Sequence, residues 1–285
     1  MRLELAIIIT IVLAVTPAVS QPQKPIAVAA PPNGMVCITK MKDIFEPSRS
    51  TLRRVVISTT DDRGERVQFT AGQAYKNFPD GKKMVLTMLE PEGIKGMTYL
   101  FWDRKNQPNK WVYIPTIRRV LEITPLRAYE PFLGTEFTVS DIGFISVPQS
   151  CELLELTNLA GVKAYKVEEK AVDGVYYSRI ITWIAVDSFL PLQRDFYDMA
   201  GKLWMTDLFK EVTTIDKVSV PLLVERKDLQ RGYSTALRTT NMATDVNIPD
   251  KFFNFPDEFF YPKQLSKAVN SPLWKIISSK ASEMK

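Results

Sequence analysis

Apolar residues recur with two different periods along the chain, and the two periods predict different elements. In "MVCITKMKDIFEP", residues 35–47, the spacing is that of a helix, and Pro47 ends the run. The apolar residues at helical spacing are Met35, Ile38, Met41, Ile44 and Phe45. From residue 51 onward the pattern is that of successive short strands. The chain is therefore predicted to form one amphipathic helix and then mainly β-structure.

Short connections separate the predicted strands. Turn sequences such as Asp62-Arg63-Gly64 and Pro79-Asp80-Gly81 leave no room for helical crossovers, so neighbouring strands should pair antiparallel. The predicted strands, about twelve in all, are "TLRRVVISTT", "ERVQFTAGQAY", "KKMVLTML", "MTYLFWD", "KWVYIP", "ELLELTNL", "VKAYKVEEKAV", "VYYSRIITWIAV", "PLQRDFYD", "KLWMTDLFKEVTTI", "PLLVERKDL" and "STALRTTNMATDV".

A long aromatic loop interrupts the strands. It spans residues 124–150, "TPLRAYEPFLGTEFTVSDIGFISVPQS", and lies between the first five predicted strands and the last seven. Within it, Thr138-Val-Ser140-Asp141 is a suitable start for a short helix. The loop is therefore expected to pack as an irregular segment with one helical turn.

Several strands are apolar on both faces. In "MVLTML", Met84, Leu86 and Met88 share one face, whereas Val85 and Leu89 share the other. Two architectures explain this pattern: a sandwich or helix-covered sheet, and a curved sheet that encloses an apolar cavity. Ten methionines suit a cavity for irregular apolar ligands, but composition alone favours the sandwich.

The N-terminal segment has the features of an export signal. "MRLELAIIITIVLAVTPAVSQ" contains Arg2, an apolar core and small residues before Gln21. The alternative is an uncleaved anchor, but the apolar core is shorter than the roughly 20 residues that cross a bilayer. We expect a signal peptide at 1–20, a Pro/Ala-rich linker at 21–34, one domain at 35–262, and a C-terminal tail at 263–285 that can form an amphipathic helix.

The amino-acid composition excludes several common classes of catalytic site. The chain has no histidine, which removes His-based triads, dyads, zinc sites and proton shuttles. The carboxylates Asp195 and Asp198, and the pair Glu168-Glu169, lie next to predicted turns and are interpreted as solvated. Neither a phosphate-binding glycine loop nor a metal-ligand cluster is present in the sequence. No enzymatic activity and no cofactor are therefore expected.

Charge and cysteines leave further alternatives open. The net charge is +5, and the strands begin with basic pairs, Arg53-Arg54 and Lys82-Lys83. Nucleic acid is not expected as a partner of an exported chain, so anionic lipid headgroups or envelope polymers are better candidates. Cys37 and Cys151 either pair in an oxidising compartment or remain two separate thiols.

Two stretches, "WVYIPTIRRV" and "FLGTEFTVSD", together resemble the outer-membrane lipoprotein-sorting protein family, a LolA/LolB-like group. "PLQRDFYDMAGKL" and "GYSTALRTTNMATDVNIPDKFF" are similar to later strands of that family, and the resemblance covers roughly residues 35–260. It implies a mainly β fold: a strongly curved antiparallel sheet that forms a half-open barrel, with short helices over an apolar cavity.

The resemblance also implies a function. Members of this family carry lipids or lipoprotein acyl chains through the periplasm without catalysis, and some relatives accompany RND-type exporters. We therefore expect a periplasmic carrier with a cavity and a lid formed by Met84, Leu86, Met88, Phe101, Trp111, Tyr113, Arg118, Arg119, Phe132, Phe137, Asp141, Trp183 and Met205. The alternative is an envelope module that docks to an exporter and carries no lipid. If the tail forms a helix, its basic amphipathic face is suited to contact with a membrane surface or an exporter.

The adjacent arginines Arg118 and Arg119 receive a specific role in this interpretation. One of them is expected to hold the 124–145 loop through Glu136 or Asp141, because arginine pairs well with carboxylates. The alternative is that both are solvent-facing cations at a sheet edge, which prevent edge-to-edge aggregation.

Overall fold

A computed structural model describes residues 32–46, 49–104, 109–145, 148, 150–170, 176–216 and 218–253. The predicted signal peptide and the C-terminal tail lie outside the described residues, as does nearly all of the predicted linker. In the described part of the chain no helix is long and apolar enough to cross a membrane.

The described chain forms two short α-helices and thirteen strands. The helices are α1 (Gly34–Phe45) and α2 (Val139–Ile142). The strands are β1 (Thr51–Thr60), β2 (Arg66–Phe78), β3 (Gly81–Glu90), β4 (Thr98–Asp103), β5 (Asn109–Ile114), β6 (Arg119–Glu122), β7 (Cys151–Leu159), β8 (Val162–Lys170), β9 (Arg179–Ala185), β10 (Pro191–Tyr197), β11 (Leu203–Ile215), β12 (Val218–Asp228) and β13 (Ser234–Thr244).

All thirteen strands belong to one antiparallel sheet. Its order is β6-β5-β4-β3-β2-β1-β13-β12-β11-β10-β9-β8-β7. Strands that are neighbours in the sequence pair with each other, except β6 and β7, which lie at the two edges. The pairing of β1 with β13 joins strands β1–β6 to strands β7–β13. The mainly β fold with a curved, open antiparallel sheet is therefore confirmed. The sandwich favoured by composition is wrong, because the described strands form a single sheet.

The middle of the chain covers one face of this sheet, which we call the inner face. Met84, Leu86 and Met88 of β3 point to it and pack against side chains from the loop after β6. Val85 points to the opposite, outer face, where it packs with Phe253 near the end of the described chain. Each face is thus apolar because each is covered by a different segment.

Helix α1 lies against β7 and β8 at the far end of the sheet. Its N-cap is Asn33, whose side chain accepts a hydrogen bond from the backbone N–H of Val36 at 2.9 Å. Cys37, Ile38 and Met41 are fully buried against Val167 and Ile184. The helix predicted from spacing is confirmed, and the adjacent Gly34 lets its first turn approach β7 closely.

Replacing Gly34 with alanine is expected to destabilise the fold by about 1–3 kcal/mol. A Cβ atom at Gly34 would lie 2.8 Å from the carbonyl carbon of Glu152 and 2.9 Å from the backbone nitrogen of Leu153, so α1 or β7 must shift. Gly93 is the matched control, because a Cβ there meets nothing within 4 Å. Urea unfolding of both variants measures the difference, and equal stabilities would contradict the close approach of α1.

Candidate functional site

The inner face carries an apolar cluster that the chain itself covers. Strand residues of the cluster include Met84, Leu86, Met88, Tyr99 and Phe101. The segment that covers them contributes Phe132, Phe137, Val139 and Ile142, all of them buried. We call this segment, residues 131–145, the lid. It covers the apolar surface that the strands present on the inner face.

One arginine of the sheet fastens the lid. Arg226 of β12 is 1% exposed. Its Nε and Nη2 donate to the two carboxylate oxygens of Asp207 on β11, at 2.6 and 2.8 Å. Its Nη1 donates to Oδ2 of Asp141 in the lid at 2.5 Å and to the carbonyl oxygen of Glu136 at 3.4 Å. The guanidinium therefore joins a sheet carboxylate to the lid, and we call the Arg226–Asp141 pair the latch.

Aromatic rings and local capping hold the latch in place. The guanidinium carbon of Arg226 lies 4.5 Å from the ring centroids of both Phe137 and Phe196, which places the cation between two π-faces. Asp141 also caps α2, because it accepts hydrogen bonds from the backbone N–H and the hydroxyl of Thr138 at 2.8 and 2.7 Å. The carboxylate is thus fixed toward Arg226 by its own helix.

Two further groups of polar contacts attach the lid on either side of the latch. The buried Glu136 accepts hydrogen bonds from the hydroxyls of Thr59 and Thr235, which lie on the central strands. At the end of the lid, Ile145 donates its N–H to Glu46 at 2.7 Å, and its carbonyl accepts from Lys42 at 2.5 Å. The lid is therefore held by polar contacts at separate points and by apolar packing between them.

The latch is an ionised network with perturbed pKa values. Burial alone would raise the pKa of Asp141, but the charge of Arg226 and the hydrogen bonds from Thr138 and Arg226 lower it below the ordinary value of 3.8. Burial raises the pKa of Asp207 despite the opposing effect of Arg226. Burial would lower the pKa of Arg226, but Asp141 and Asp207 together raise it. The two carboxylates therefore favour the charged form of the arginine.

Acid should weaken the latch only at low pH. Because the folded-state pKa of Asp141 is depressed, its contribution to stability is complete above its unfolded pKa and is lost as the pH falls through the folded pKa. We expect Asp141→Asn to be less stable than the wild type by a constant margin between about pH 8 and 5, and the margin to shrink below about pH 4. Urea unfolding across this range measures it. A margin that closes near neutral pH would contradict an ionised latch.

Two more carboxylates near the latch are buried, one on each face of the sheet. Glu169 of β8 is buried, and it accepts hydrogen bonds from Thr182 at 2.5 Å and from Arg194 at 3.3 Å. Asp195, on the outer face, is also buried and accepts from Thr206 at 2.9 Å. The prediction that these two carboxylates are solvated is therefore wrong, because strand pairing places a hydroxyl donor beside each of them and a guanidinium beside Glu169.

The structure brings about half of the predicted site residues together. Met84, Leu86, Met88, Phe101, Phe132 and Phe137 share the inner cluster, and Asp141 lies in the latch. Met205 belongs to a neighbouring cluster with Tyr177 and Phe196. Side chains from the strands and from the lid thus lie together on the inner face.

Three aromatic residues that were predicted to line the site point to the outer face instead. Trp111 and Tyr113 pack in the outer cluster with Leu100, because Val112 between them takes the inner position on β5. On β9, Thr182 takes the inner position and Trp183 the outer one, where Lys166 lies 5.7 Å from its ring centroid. Strand alternation therefore excludes these rings from the surface under the lid.

The predicted role of the adjacent arginines is wrong as well. Arg118 lies in the exposed connection between β5 and β6 and has a left-handed backbone with φ of 53°, and Arg119 is the exposed first residue of β6. Asp141 pairs with Arg226 instead. An arginine latch exists, but its arginine belongs to the opposite half of the sheet. The sequence signal that could have located it is Asp207, a carboxylate within the otherwise apolar "LWMTDLF".

The two cysteines are free thiols. Burial raises the pKa of Cys37 to about 11, with a further contribution from the nearby Cys151. A thiol with this pKa is mostly protonated at neutral pH and reacts slowly. Among the described residues there is no group of three or more Cys, Asp or Glu side chains that could hold a metal ion.

The fold and site together define a class of protein: an open antiparallel sheet whose apolar inner face is closed by a latched lid. A family model with the description "Uncharacterized protein" matches residues 80–256, more than half of the chain. The chain therefore belongs to this family, which is DUF1329-like. No curated protein matches the sequence.

Solved structures share the fold at low sequence identity. A DUF1329 family protein from Desulfovibrio piger is 21% identical, with a TM-score of 0.72 over 78% of this chain and 96% of its own. A Vibrio parahaemolyticus domain named as an outer membrane lipoprotein-sorting protein gives the same values. A LolA superfamily protein from Nitrosomonas europaea is 20% identical, with a TM-score of 0.64 over 79% of this chain and 98% of its own.

Proposed function

We propose that this protein is a periplasmic, non-enzymatic carrier that binds the acyl chains of lipids or lipoproteins between the inner face and the lid. The observation that carries this proposal is the latched cover. An apolar surface is closed by a separate segment, and polar contacts through Arg226, Glu136 and Ile145 hold that segment. The names of the Vibrio and Nitrosomonas neighbours agree with such a role.

Energetics explain why a carrier needs a lid that competes with its cargo. Burial of an acyl chain gives about 0.8 kcal/mol per methylene, so a 16-carbon chain could gain on the order of 12 kcal/mol before the costs of binding. A permanently open surface of this kind would hold its cargo too tightly to release it. In the closed state the side chains of Phe132, Phe137, Val139 and Ile142 take the place of the acyl chain. Opening the lid breaks their contacts, which lowers the net affinity.

Binding of a fluorescent 16-carbon fatty acid to the purified protein tests this proposal. A carrier should bind about one probe per chain, with saturation, and the lid should become more sensitive to limited proteolysis when the probe is bound. Absence of saturable binding at any probe concentration below its micelle threshold would overturn the proposal.

A second proposal, an envelope module that docks to an RND-type exporter and carries no lipid, has one observation in its favour. The inner face is already filled by the lid in the closed state, so the fold is complete without cargo. Failure to bind the fatty-acid probe, together with capture of an exporter by the intact chain, would favour this alternative.

A further inference from the structure

The inner face contains an arginine that no carboxylate of the described residues neutralises. Arg53 of β1 lies opposite Gln73 of β2 and Met242 of β13. Its Nε donates to the side-chain oxygen of Gln73, and the amide nitrogen of Gln73 lies 2.6 Å from the sulfur of Met84 in the inner cluster. The guanidinium is therefore held at the edge of the apolar surface by a neutral partner.

Unlike Arg53, the other arginines nearby are paired with carboxylates. On the same face, Arg226 holds Asp207 and Asp141, and Arg194 holds Glu169. Arg54, the next residue along β1, pairs with Glu90 at 3.7 Å. Desolvation by the neighbouring strands lowers the pKa of Arg53 to about 10, so the group stays cationic at neutral pH. The residue as a whole is half-buried, so part of its surface remains open to a ligand.

We propose that Arg53 binds the anionic group of the cargo, and that the cargo is therefore an anionic amphiphile, such as a lipid with a carboxylate or phosphate head. The inference rests on the proposed carrier function and names its ligand class. A guanidinium with a neutral partner retains donors for an anion. The apolar cluster that begins at Val55, two residues along the same face, would take the acyl chain.

The position of Arg53 suits a ligand whose anionic head binds the arginine and whose acyl chain lies on the apolar cluster. Arg226 is saturated by two carboxylates in the closed state, so it serves the lid, whereas Arg53 has no lid partner among the described residues. An unneutralised charge next to an apolar surface lowers stability, and a site for an anionic ligand explains its presence. Loss of the charge should therefore leave the stability equal or higher.

The test compares a fluorescent 16-carbon fatty acid with its methyl ester. The wild type should bind the acid about tenfold more tightly than the ester, the scale of one charge-assisted hydrogen bond. Arg53→Gln should abolish this preference without weakening the ester, and Arg53→Lys should retain part of it. Arg54→Gln, on the outer face, is the matched control and should change neither affinity. Thermal unfolding of Arg53→Gln should show no loss of stability.

The other outcomes separate failure of the Arg53 proposal from failure of the carrier function. Equal binding of acid and ester by the wild type would overturn the proposal for Arg53 while the carrier function stands. Binding of neither probe would overturn the carrier function itself, and this inference with it. Displacement of the acid by inorganic phosphate or acetate at concentrations similar to that of the probe would show a site for free anions, which contradicts an amphiphilic ligand. If Arg53→Gln does not fold, binding of both probes to the wild type is measured at rising salt concentration instead. Salt should then weaken binding of the acid and leave binding of the ester unchanged.

Discussion

Replacing Arg226 with alanine should lower the free energy of unfolding by about 3–5 kcal/mol, the cost of removing one partner from a buried ion pair. Asp207 and Asp141 would then remain, with side chains 5% and 17% exposed, and would lose their shared cation. The packing of the guanidinium between Phe137 and Phe196 would also be lost. Urea unfolding at neutral pH measures this effect.

Two comparisons separate the charge from the general effect of truncation. Arg119→Ala removes an exposed arginine and should change stability by less than about 0.5 kcal/mol. Replacing Arg226, Asp207 and Asp141 together with apolar residues of similar size should recover much of the loss, because no uncompensated charge is left. If Arg226→Ala were as mild as Arg119→Ala, the latch would not exist in solution.

Replacing Phe132 with alanine should have two effects at once: a loss of about 3–5 kcal/mol of stability and a gain in affinity for an acyl chain. Phe132 is fully buried under the lid, and its ring centroid lies 5.1 Å from that of Tyr99. Since lid and cargo compete for one surface, weaker packing of the lid favours the cargo. Each 1.4 kcal/mol of lost lid attachment allows about tenfold tighter binding. Titration with the 16-carbon fatty acid measures the gain.

Phe253 provides the matched control for this prediction. It is also fully buried, with its ring centroid 5.4 Å from that of Phe78, but it belongs to the outer cluster. Phe253→Ala should lose similar stability and gain no affinity for the acyl chain. Equal gains in both variants would mean that the probe binds to any loosened core, and equal absence of a gain would mean that the lid does not compete with cargo.

The sequence predicts those features that depend on local pattern. The helical spacing from Met35 to Phe45 and the short turns between strands determine α1 and the antiparallel order. The capping sequence Thr138–Asp141 determines α2, and the long aromatic loop marks the segment that becomes the lid. Each of these depends on residues that are close in the chain, for which spacing and turn chemistry are sufficient.

The latch depends on contacts that spacing does not reveal. Arg226 and Asp141 are 85 residues apart in the chain. They meet because the lid crosses the inner face beside β12, where Glu136 accepts hydrogen bonds from Thr59 of β1 and Thr235 of β13. The adjacent Arg118 and Arg119 are conspicuous in the sequence, yet both are exposed, one in the turn before β6 and the other at the start of that strand. Likewise, the inner or outer position of Trp111 and Trp183 depends on strand phase, which a shift of one residue reverses.

Carriage of a lipid by the inner face is tested by native mass spectrometry of the chain purified from the envelope fraction of expressing cells, followed by organic extraction. We expect a bound species of about one lipid or acylated peptide per chain, which extraction releases and identifies. We also expect this species to carry an anionic group. A measured mass equal to that of the chain alone, with no uptake of the fluorescent fatty acid afterwards, would contradict the carriage of lipid by the inner face.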